Sequence, residues 1–224
     1  MNSEFDEKEE FKQFYDLQNS LIEKIIKEDQ LSQTIRYVAG VDVAYHDASD
    51  KMIGAIVILD SESYEVVEET SHEMKITFPY VPGLFSFREI PPLIEAFNKL
   101  TIKPDLIVCD AQGIAHPKGI GMATHLGIEL NVPTIGCAKK KLVGSYDKNL
   151  LGLKRGNTQD LIYNNCLVGK ALRTQDNTNP MYVSIGHKIS LETAIYWILK
   201  LTPNYRLPET TRQADHLVNL LLKK

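Results

Sequence analysis

The sequence predicts an α/β fold in which one mixed sheet is flanked by helices. Three β-rich segments joined by short turns follow the N-terminal region, a pattern typical of an antiparallel meander. Beyond them, helical segments alternate with short, continuously apolar runs, which are typical of buried parallel strands. A three-strand meander followed by such alternation predicts a sheet with parallel and antiparallel strands and helices on its faces.

The first half of the chain is predicted to form a helix, three strands and a second helix. Apolar residues at helical spacing predict a first helix over residues 8–28. β-Branched and aromatic residues then predict three strands. A break rich in proline and glycine precedes a helix over residues 87–100. We expect Pro91 and Pro92 in its first turn, where proline is tolerated, so Glu89 should lie near its N-terminus. The three strands cover residues 37–45, 52–59 and 64–77.

The second half alternates strand and helix and closes with two helices. Ser190 is a plausible N-cap of the first of these two helices. No linker divides the chain, so residues 1–224 are predicted to form one domain, with residues 1–32 as a helical N-terminal arm. The segments are a strand at 104–110, a helix at 121–130, a strand at 132–137, two strands or a hairpin at 165–174 and 180–187, and helices at 190–201 and 209–224.

Composition excludes several classes of protein. No apolar run approaches the roughly 18 residues of a membrane span, and the acidic N-terminus lacks the apolar core of a secretory signal. The three cysteines are scattered, which excludes a disulfide framework or zinc ribbon and favours a cytoplasmic location. Net charge is −4, yet residues 138–155 hold six cations against one aspartate. Charge alone favours a solvated loop there over a phosphate contact.

Acidic residues stand where a folded chain does not usually place them. Asp42 interrupts an apolar strand, and Asp110 ends another. A buried carboxylate is costly without a partner, and two converging carboxylates repel unless a cation or proton lies between them. Mg²⁺ would satisfy both. A salt bridge or a cap explains any one acid better, but Glu89 and Asp215 join this pair as candidates for a two-metal site that hydrolyses phosphodiesters.

Other catalytic patterns fit poorly. The phosphate-binding pattern G-x-x-x-x-G-K-[ST] is absent, and Gly113, Gly119 and Gly121 do not form G-x-G-x-x-G. His116 and His125 lack the spacing of zinc ligands.

Six segments, in order, resemble the endonuclease V family, whose members have an RNase H-like fold and cut strands at deaminated bases. The resemblance covers about residues 36–220. The segments are YVAGVDVAY, ITFPYVPGLFSFRE, PDLIVCDAQGIAHPKGIGMATHLG, VPTIGCAKKKLVG, MYVSIGH and LPETTRQADHL.

The resemblance implies a metal-dependent endonuclease of DNA repair. It would recognise a flipped hypoxanthine (deoxyinosine) in DNA and hydrolyse the second phosphodiester bond 3′ to it, leaving a 3′-hydroxyl and a 5′-phosphate. Mg²⁺ would be the cofactor, with Mn²⁺ as a substitute. The expected partner is inosine-containing DNA, with no membrane association and a monomeric state.

The resemblance also assigns roles to individual residues. Asp42, Glu89 and Asp110 would be catalytic metal ligands, joined by Asp215 or its neighbour His216. Lys139 would be catalytic beside the scissile phosphate. Tyr80 and Pro82 would form the wedge that separates the strands. The base pocket would comprise Gly83, Phe85, Gly113, His116, Gly121 and Met122, and nucleic-acid contacts would come from Lys118, Lys140, Lys141 and Ser184.

One departure bears on specificity, and three alternatives stay open. The family often has glycine where this chain has Ala111, and its methyl group would narrow or reshape the base pocket. The closest alternative is an inosine-specific endoribonuclease that uses the same site. The others are a non-catalytic inosine-binding module, which the acids argue against, and a structure-selective nuclease such as a junction resolvase.

Overall fold

A computed structural model describes residues 9–46 and 49–223. Eight strands form one sheet in the order β3-β2-β1-β4-β5-β8-β7-β6. The elements are a 3₁₀ turn Glu9–Phe11, α1 Lys12–Ile22, β1 Tyr37–Tyr45, β2 Lys51–Asp60, β3 Val66–Lys75, α2 Phe85–Asn98, β4 Leu106–Cys109, α3 Met122–Leu130, β5 Thr134–Ala138, β6 Thr158–Tyr163, β7 Cys166–Leu172, β8 Met181–His187, α4 Leu191–Lys200 and α5 Glu209–Leu221.

The mixed sheet is confirmed. β1, β2 and β3 form the predicted antiparallel meander. β4 pairs in parallel with both β1 and β5, which places these three strands at the centre. β8, β7 and β6 extend the other side in antiparallel fashion. Strand β6 was not predicted, because as an edge strand it buries only Leu161 and shows no strong apolar pattern.

Two hydrophobic clusters cover the two faces of the sheet. Val38 and Val108 belong to the cluster that packs against α4, whereas Ala39 and Ile107 belong to the cluster that packs against α2 and α3. Successive residues of a strand point to opposite faces, so every second residue shares a face. Asp42 and Asp110 therefore share the face of Val38 and Val108. Among the described residues, no helix has the length and apolarity that a membrane span requires.

The first helix is shorter than predicted. It ends at Ile22 rather than at residue 28. The chain beyond it pairs with a distant segment: Lys188 N donates to Ile26 O at 2.7 Å, and Gln30 N donates to Lys188 O at 3.0 Å. These long-range hydrogen bonds replace the helical ones that the apolar spacing predicts.

The position of the prolines in α2 is a correction. The helix begins at Phe85, so Pro91 and Pro92 lie in its second turn and not in its first. They remove two backbone donors from the helix interior. At this point α2 packs closely against β2: a Cβ on Gly54 would stand 2.8 Å from the carbonyl carbon of Pro92. Ser190 caps α4 as predicted, since its Oγ accepts from Thr193 N at 3.2 Å.

Candidate active site

The site is built at the edge where the central parallel strands end. Val41 of β1 is paired with Cys109 of β4, so the next residues, Asp42 and Asp110, emerge side by side. Helix α5 lies across β1 at Gly40, where any Cβ would collide with the Thr210 carbonyl. This close approach lets the following turn of α5 bring the charge of Asp215 into interaction with Asp42.

The surroundings of Asp42 disfavour its charged form. Burial, together with the negative charges of Asp215 and Asp110, raises the pKa of the Asp42 carboxyl to about 6. A hydrogen bond from Val43 N and the charge of Lys139 act in the opposite direction and are outweighed. A carboxylate in this position is stabilised by a proton or by a cation.

Glu89 approaches the same group from α2. It is 8% exposed, and Tyr45 Oη donates to its Oε1 at 3.0 Å. Burial and the charge of Asp42 raise the pKa of Glu89 to about 8, although the Tyr45 hydrogen bond and Arg88 oppose the shift. The Arg88 guanidinium in turn lies 4.8 Å from the centre of the Tyr45 ring.

Lys139 supplies positive charge to this acidic edge. It follows β5, and its Nζ lies 2.5 Å from Asp110 Oδ2. Burial by itself would lower the pKa of Lys139, but the ion pair with Asp110 and the charges of Asp215 and Asp42 raise it. The ammonium therefore stays charged and accessible, with 43% of its side chain exposed.

The donor set suits a hard divalent cation. The described residues hold no ready-made group of three His, Cys, Asp or Glu side chains at metal-binding distances. Asp42 nevertheless interacts electrostatically with Asp110, Asp215 and Glu89. Carboxylate oxygens are the ligands that Mg²⁺ prefers. The residues thus fit a cation chemically, and rotations of their side chains would be needed to close around it.

One cavity of about 530 Å³ opens directly onto this edge. Asp110 and Lys139 line it from the sheet, and Asp215 and His216 line it from α5. His216 is exposed and therefore accessible as an alternative ligand from the same helix.

A second cavity, of about 670 Å³, adjoins the first and shares Asp110 and Lys139 with it. Its wall gathers both predicted wedge residues and five of the six residues predicted for the base pocket. It also includes Ala111, whose backbone and methyl group lie at the point where the sequence departs from the family pattern. The predicted residues in the wall are Tyr80, Pro82, Gly83, Phe85, His116, Gly121 and Met122.

Gly113 and Ser184 lie behind this wall. Gly113 N donates to Ser184 Oγ at 2.8 Å, and both residues are buried. A Cβ on Gly113 would collide with the Ile185 carbonyl, so close packing against β8 requires this glycine. The predicted contact of Ser184 with nucleic acid is wrong, because the side chain is inside the protein and already hydrogen-bonded.

His116 enters the second cavity as a neutral imidazole. Burial, with a smaller contribution from the charge of Lys118, lowers the pKa of His116 to about 4. Its Nδ1 accepts from Lys118 N at 3.2 Å. The neutral ring therefore carries its hydrogen on Nε2, which makes that atom a hydrogen-bond donor.

The wedge residues form an exposed tip beside the cavity. Tyr80 is 68% exposed, and its ring lies edge-on to Phe85 with centroids 6.0 Å apart. The chain then turns sharply, with Leu84 N donating to Val81 O at 3.0 Å and Gly83 at φ +85°. Pro82 and a left-handed Gly83 are the residues that a type II turn prefers at its centre.

A third cavity, of about 560 Å³, begins at Lys139 and is lined by further positively charged side chains. Lys140 and Lys141 line both this cavity and the second one. No acidic side chain of the described residues lines it. Lys148, from the basic stretch 138–155, also lines it. The sequence did not single out four further members, because they come from separate strands and loops: Tyr146, Arg173, Tyr182 and Arg206.

The comparison with known proteins decides the family. A sequence model described as Endonuclease V matches residues 19–216. The chain belongs to the endonuclease V family. A curated family member from Nostoc punctiforme, named Endonuclease V, is 46% identical over 203 residues, covering 91% of each chain. The chain is accordingly a nuclease, a hydrolase of phosphodiester bonds.

Solved structures of the family share the fold. Endonuclease V from Streptomyces avermitilis superimposes with a TM-score of 0.90 at 41% identity, covering 100% of this chain and 96% of that one. Ciona intestinalis endonuclease V superimposes with a TM-score of 0.85 at 29% identity, covering 96% and 99%. The Ciona protein was crystallised with a 24mer DNA that contains an inosine followed by a ribo-adenosine.

Proposed function

We propose that this nuclease recognises a flipped hypoxanthine in DNA and hydrolyses the second phosphodiester bond 3′ to it, as a step of DNA repair. The observation that carries the proposal is the shared wall of two cavities. Asp110 and Lys139 line both the cavity at the acidic edge and the cavity beside the exposed tip. If a base occupied the cavity beside the tip, the backbone of its strand would lie beside the carboxylates that line the cavity at the acidic edge.

The second cavity suits a purine lifted out of its stack. A nuclease that examines the pairing edge of a base must first unstack that base, and Tyr80 is exposed beside the opening. Hypoxanthine presents an O6 acceptor and an N1–H donor. His116 Nε2–H offers a donor to O6. The Gly83 and Gly121 carbonyls already accept from Gln18 and His125, but each keeps a second lone pair as an acceptor for N1–H, and adenine would leave these groups unpaired.

The acidic edge suits phosphodiester hydrolysis. Asp42, Asp110 and Glu89, with Asp215 or His216 from α5, would hold Mg²⁺ or, as a substitute, Mn²⁺. Bound there, such ions supply an activated water and charge stabilisation for the leaving oxygen. Lys139 places a permanent positive charge beside Asp110, where it favours the developing negative charge of the phosphate. Tyr45 fixes the orientation of the Glu89 carboxyl through its hydroxyl.

The third cavity suits the sugar–phosphate backbone. Six cationic residues line it, and phosphate contacts depend on such local charge rather than on the net charge of the chain. Lys118 also lies near the base cavity, in the loop that holds His116. We further propose that the chain forms a single domain, because one sheet carries all of its described strands, and that it acts as a monomer. Three free cysteines fit the reducing cytoplasm.

The decisive experiment is cleavage of a 5′-labelled DNA duplex that contains one inosine, with Mg²⁺ or with EDTA. We expect a single product that ends one nucleotide beyond inosine with a 3′-hydroxyl, and no cleavage in EDTA. The matched control carries adenosine at the same position. Equal cutting of the control, or of branched DNA without inosine, would refute the proposal. An RNA strand of the same sequence, if cut faster, would favour the endoribonuclease.

A further inference from the structure

The N-terminal helix packs against the exposed tip of the base cavity. Phe11 and Phe14 meet Phe78, which lies just before the tip, with ring centroids 5.6 and 4.7 Å apart. Phe14 also meets Phe87 of α2, edge to face, at 5.3 Å. Tyr15, 3% exposed, is buried with Val81 and Leu84 in the same cluster. The segment 78–87 is therefore clamped on the side facing α1.

A hydrogen bond from the same helix reaches the tip itself. Gln18 is 1% exposed, and its Nε2 donates to the Gly83 carbonyl at 2.7 Å. Its Oε1 accepts no hydrogen bond from the described residues. Burying an amide with one unpaired atom is costly. The hydrogen bond to Gly83 is thus the polar contact that partly compensates for burying the Gln18 amide.

Gly83 links this contact to the base cavity. It lines the cavity and adopts φ +85°, a left-handed conformation that glycine tolerates and other residues rarely adopt. It also sits inside the turn closed by Leu84 N and Val81 O. The buried Gln18 side chain of α1 therefore fixes the peptide between Gly83 and Leu84, directly after the wedge residue Pro82.

The residues that make this contact lie before the family match. The match begins at residue 19, whereas Phe11, Phe14, Tyr15 and Gln18 precede it. The contact between α1 and the tip is therefore made, on the side of α1, by residues outside the region that the family model matches.

We propose that α1 is a positioning element that holds the tip, residues 80–85, rigid for strand separation. The inference rests on the proposed function, because it takes the tip to be the wedge. Separating a duplex requires the wedge to resist the stacking and pairing of the bases it displaces, whereas a single strand offers no such resistance. Loosening the contact should therefore impair cleavage of duplex substrates selectively.

The test compares kcat/KM for one inosine-containing DNA strand, alone and in a duplex. Gln18→Met keeps the size of the side chain but removes the donor to Gly83. We expect about a fivefold loss on the duplex, corresponding to one hydrogen bond, and no change on the single strand. Phe14→Ala should shift the ratio further in the same direction. Leu17→Ala, at a 45% exposed position of the same helix, is the matched control. Equal losses on both substrates, or none, would overturn the proposal.

Hydrogen exchange gives a second readout that does not depend on activity. The Leu84 amide, bonded to Val81 O, reports the rigidity of the tip. Its exchange should be faster in Gln18→Met than in the wild-type protein, and unchanged in Leu17→Ala. Unchanged exchange in Gln18→Met would overturn the role of α1. Failure of the wild-type protein to cut inosine-containing strands would instead refute the proposed function.

Discussion

The ammonium of Lys139 lies 2.5 Å from the carboxylate of Asp110. Each residue directly follows a central parallel strand: Asp110 follows β4, and Lys139 follows β5. This pair stands in the wall shared by the two cavities. Removing the charge with Lys139→Met should lower kcat by about 100-fold, because a preorganised cation stabilises the charge that develops on the phosphate. Single-turnover cleavage of the inosine duplex measures the effect.

Lys154→Met is the matched control for Lys139→Met. Lys154 also pairs with an aspartate, Asp176, at 2.9 Å, but 78% of its side chain is exposed, and it lines none of the three cavities. A comparable loss of kcat in this variant would mean that general charge, rather than the position of Lys139, is responsible.

Asp42→Asn should abolish cleavage and stabilise the metal-free protein. The folded-state pKa of Asp42, about 6, exceeds its ordinary value of 3.8, so ionising the group costs stability as pH rises through this window. Removing the charge should raise the free energy of unfolding at pH 7.5 by about 1–3 kcal/mol. Urea denaturation in EDTA measures this change.

Adding Mg²⁺ should then stabilise the wild-type protein more than Asp42→Asn, since a ligand that binds only the folded state stabilises it. Equal stabilisation by Mg²⁺ in both proteins would contradict the assignment of Asp42 as a metal ligand.

Protonation of His125 should destabilise the protein in acid. His125 is 4% exposed, its Nδ1 lies 2.9 Å from Ser86 Oγ, and its ring meets Phe87 at 4.8 Å. Burial lowers its pKa from 6.5 to about 4. Between pH 6.5 and about pH 4, His125 is protonated in the unfolded chain but stays neutral in the folded protein. His125 thus makes stability fall as pH drops, by up to about 1.4 kcal/mol per pH unit.

The His125→Gln variant should therefore lose less stability between pH 6.5 and 4 than the wild-type protein does. Urea denaturation across this range measures the slope. His216→Gln removes an exposed histidine from α5 and serves as the control. The same reduction of the slope in the control would show that burial of His125 is not the cause.

Lys148 should contribute to binding through charge alone. It lines the third cavity and is exposed. Lys148→Met should weaken binding of inosine-containing and unmodified DNA to a similar degree, and reduce the slope of log affinity against log salt by about 1. Fluorescence anisotropy at several salt concentrations tests this. A loss confined to inosine-containing DNA would contradict a backbone contact.

Ser184→Ala should destabilise the protein without altering the salt dependence of binding. The variant leaves the buried Gly113 N–H without its acceptor, at a cost of about 1–3 kcal/mol. Thermal unfolding and anisotropy measure the two effects. A changed salt slope with unchanged stability would restore the contact with nucleic acid that the buried position argues against.

Much of the active edge was predictable from sequence because strand composition and strand ends are local properties. The apolar runs before Asp110 and around Asp42 placed both acids on central strands, and parallel pairing puts the ends of such strands at one edge. The turn beside the wedge was also predictable from sequence, because the turn preferences of proline and glycine depend on their own backbone geometry.

What only the tertiary structure decided depends on contacts between distant segments. Neighbouring strands and helices set the end of α1, the second-turn prolines of α2 and the burial of Ser184. The same holds for the bond from Gln18 to Gly83, which joins residues 65 positions apart. Local composition carries the preferences of one segment, whereas burial and hydrogen-bond partners depend on which remote groups the fold brings within reach.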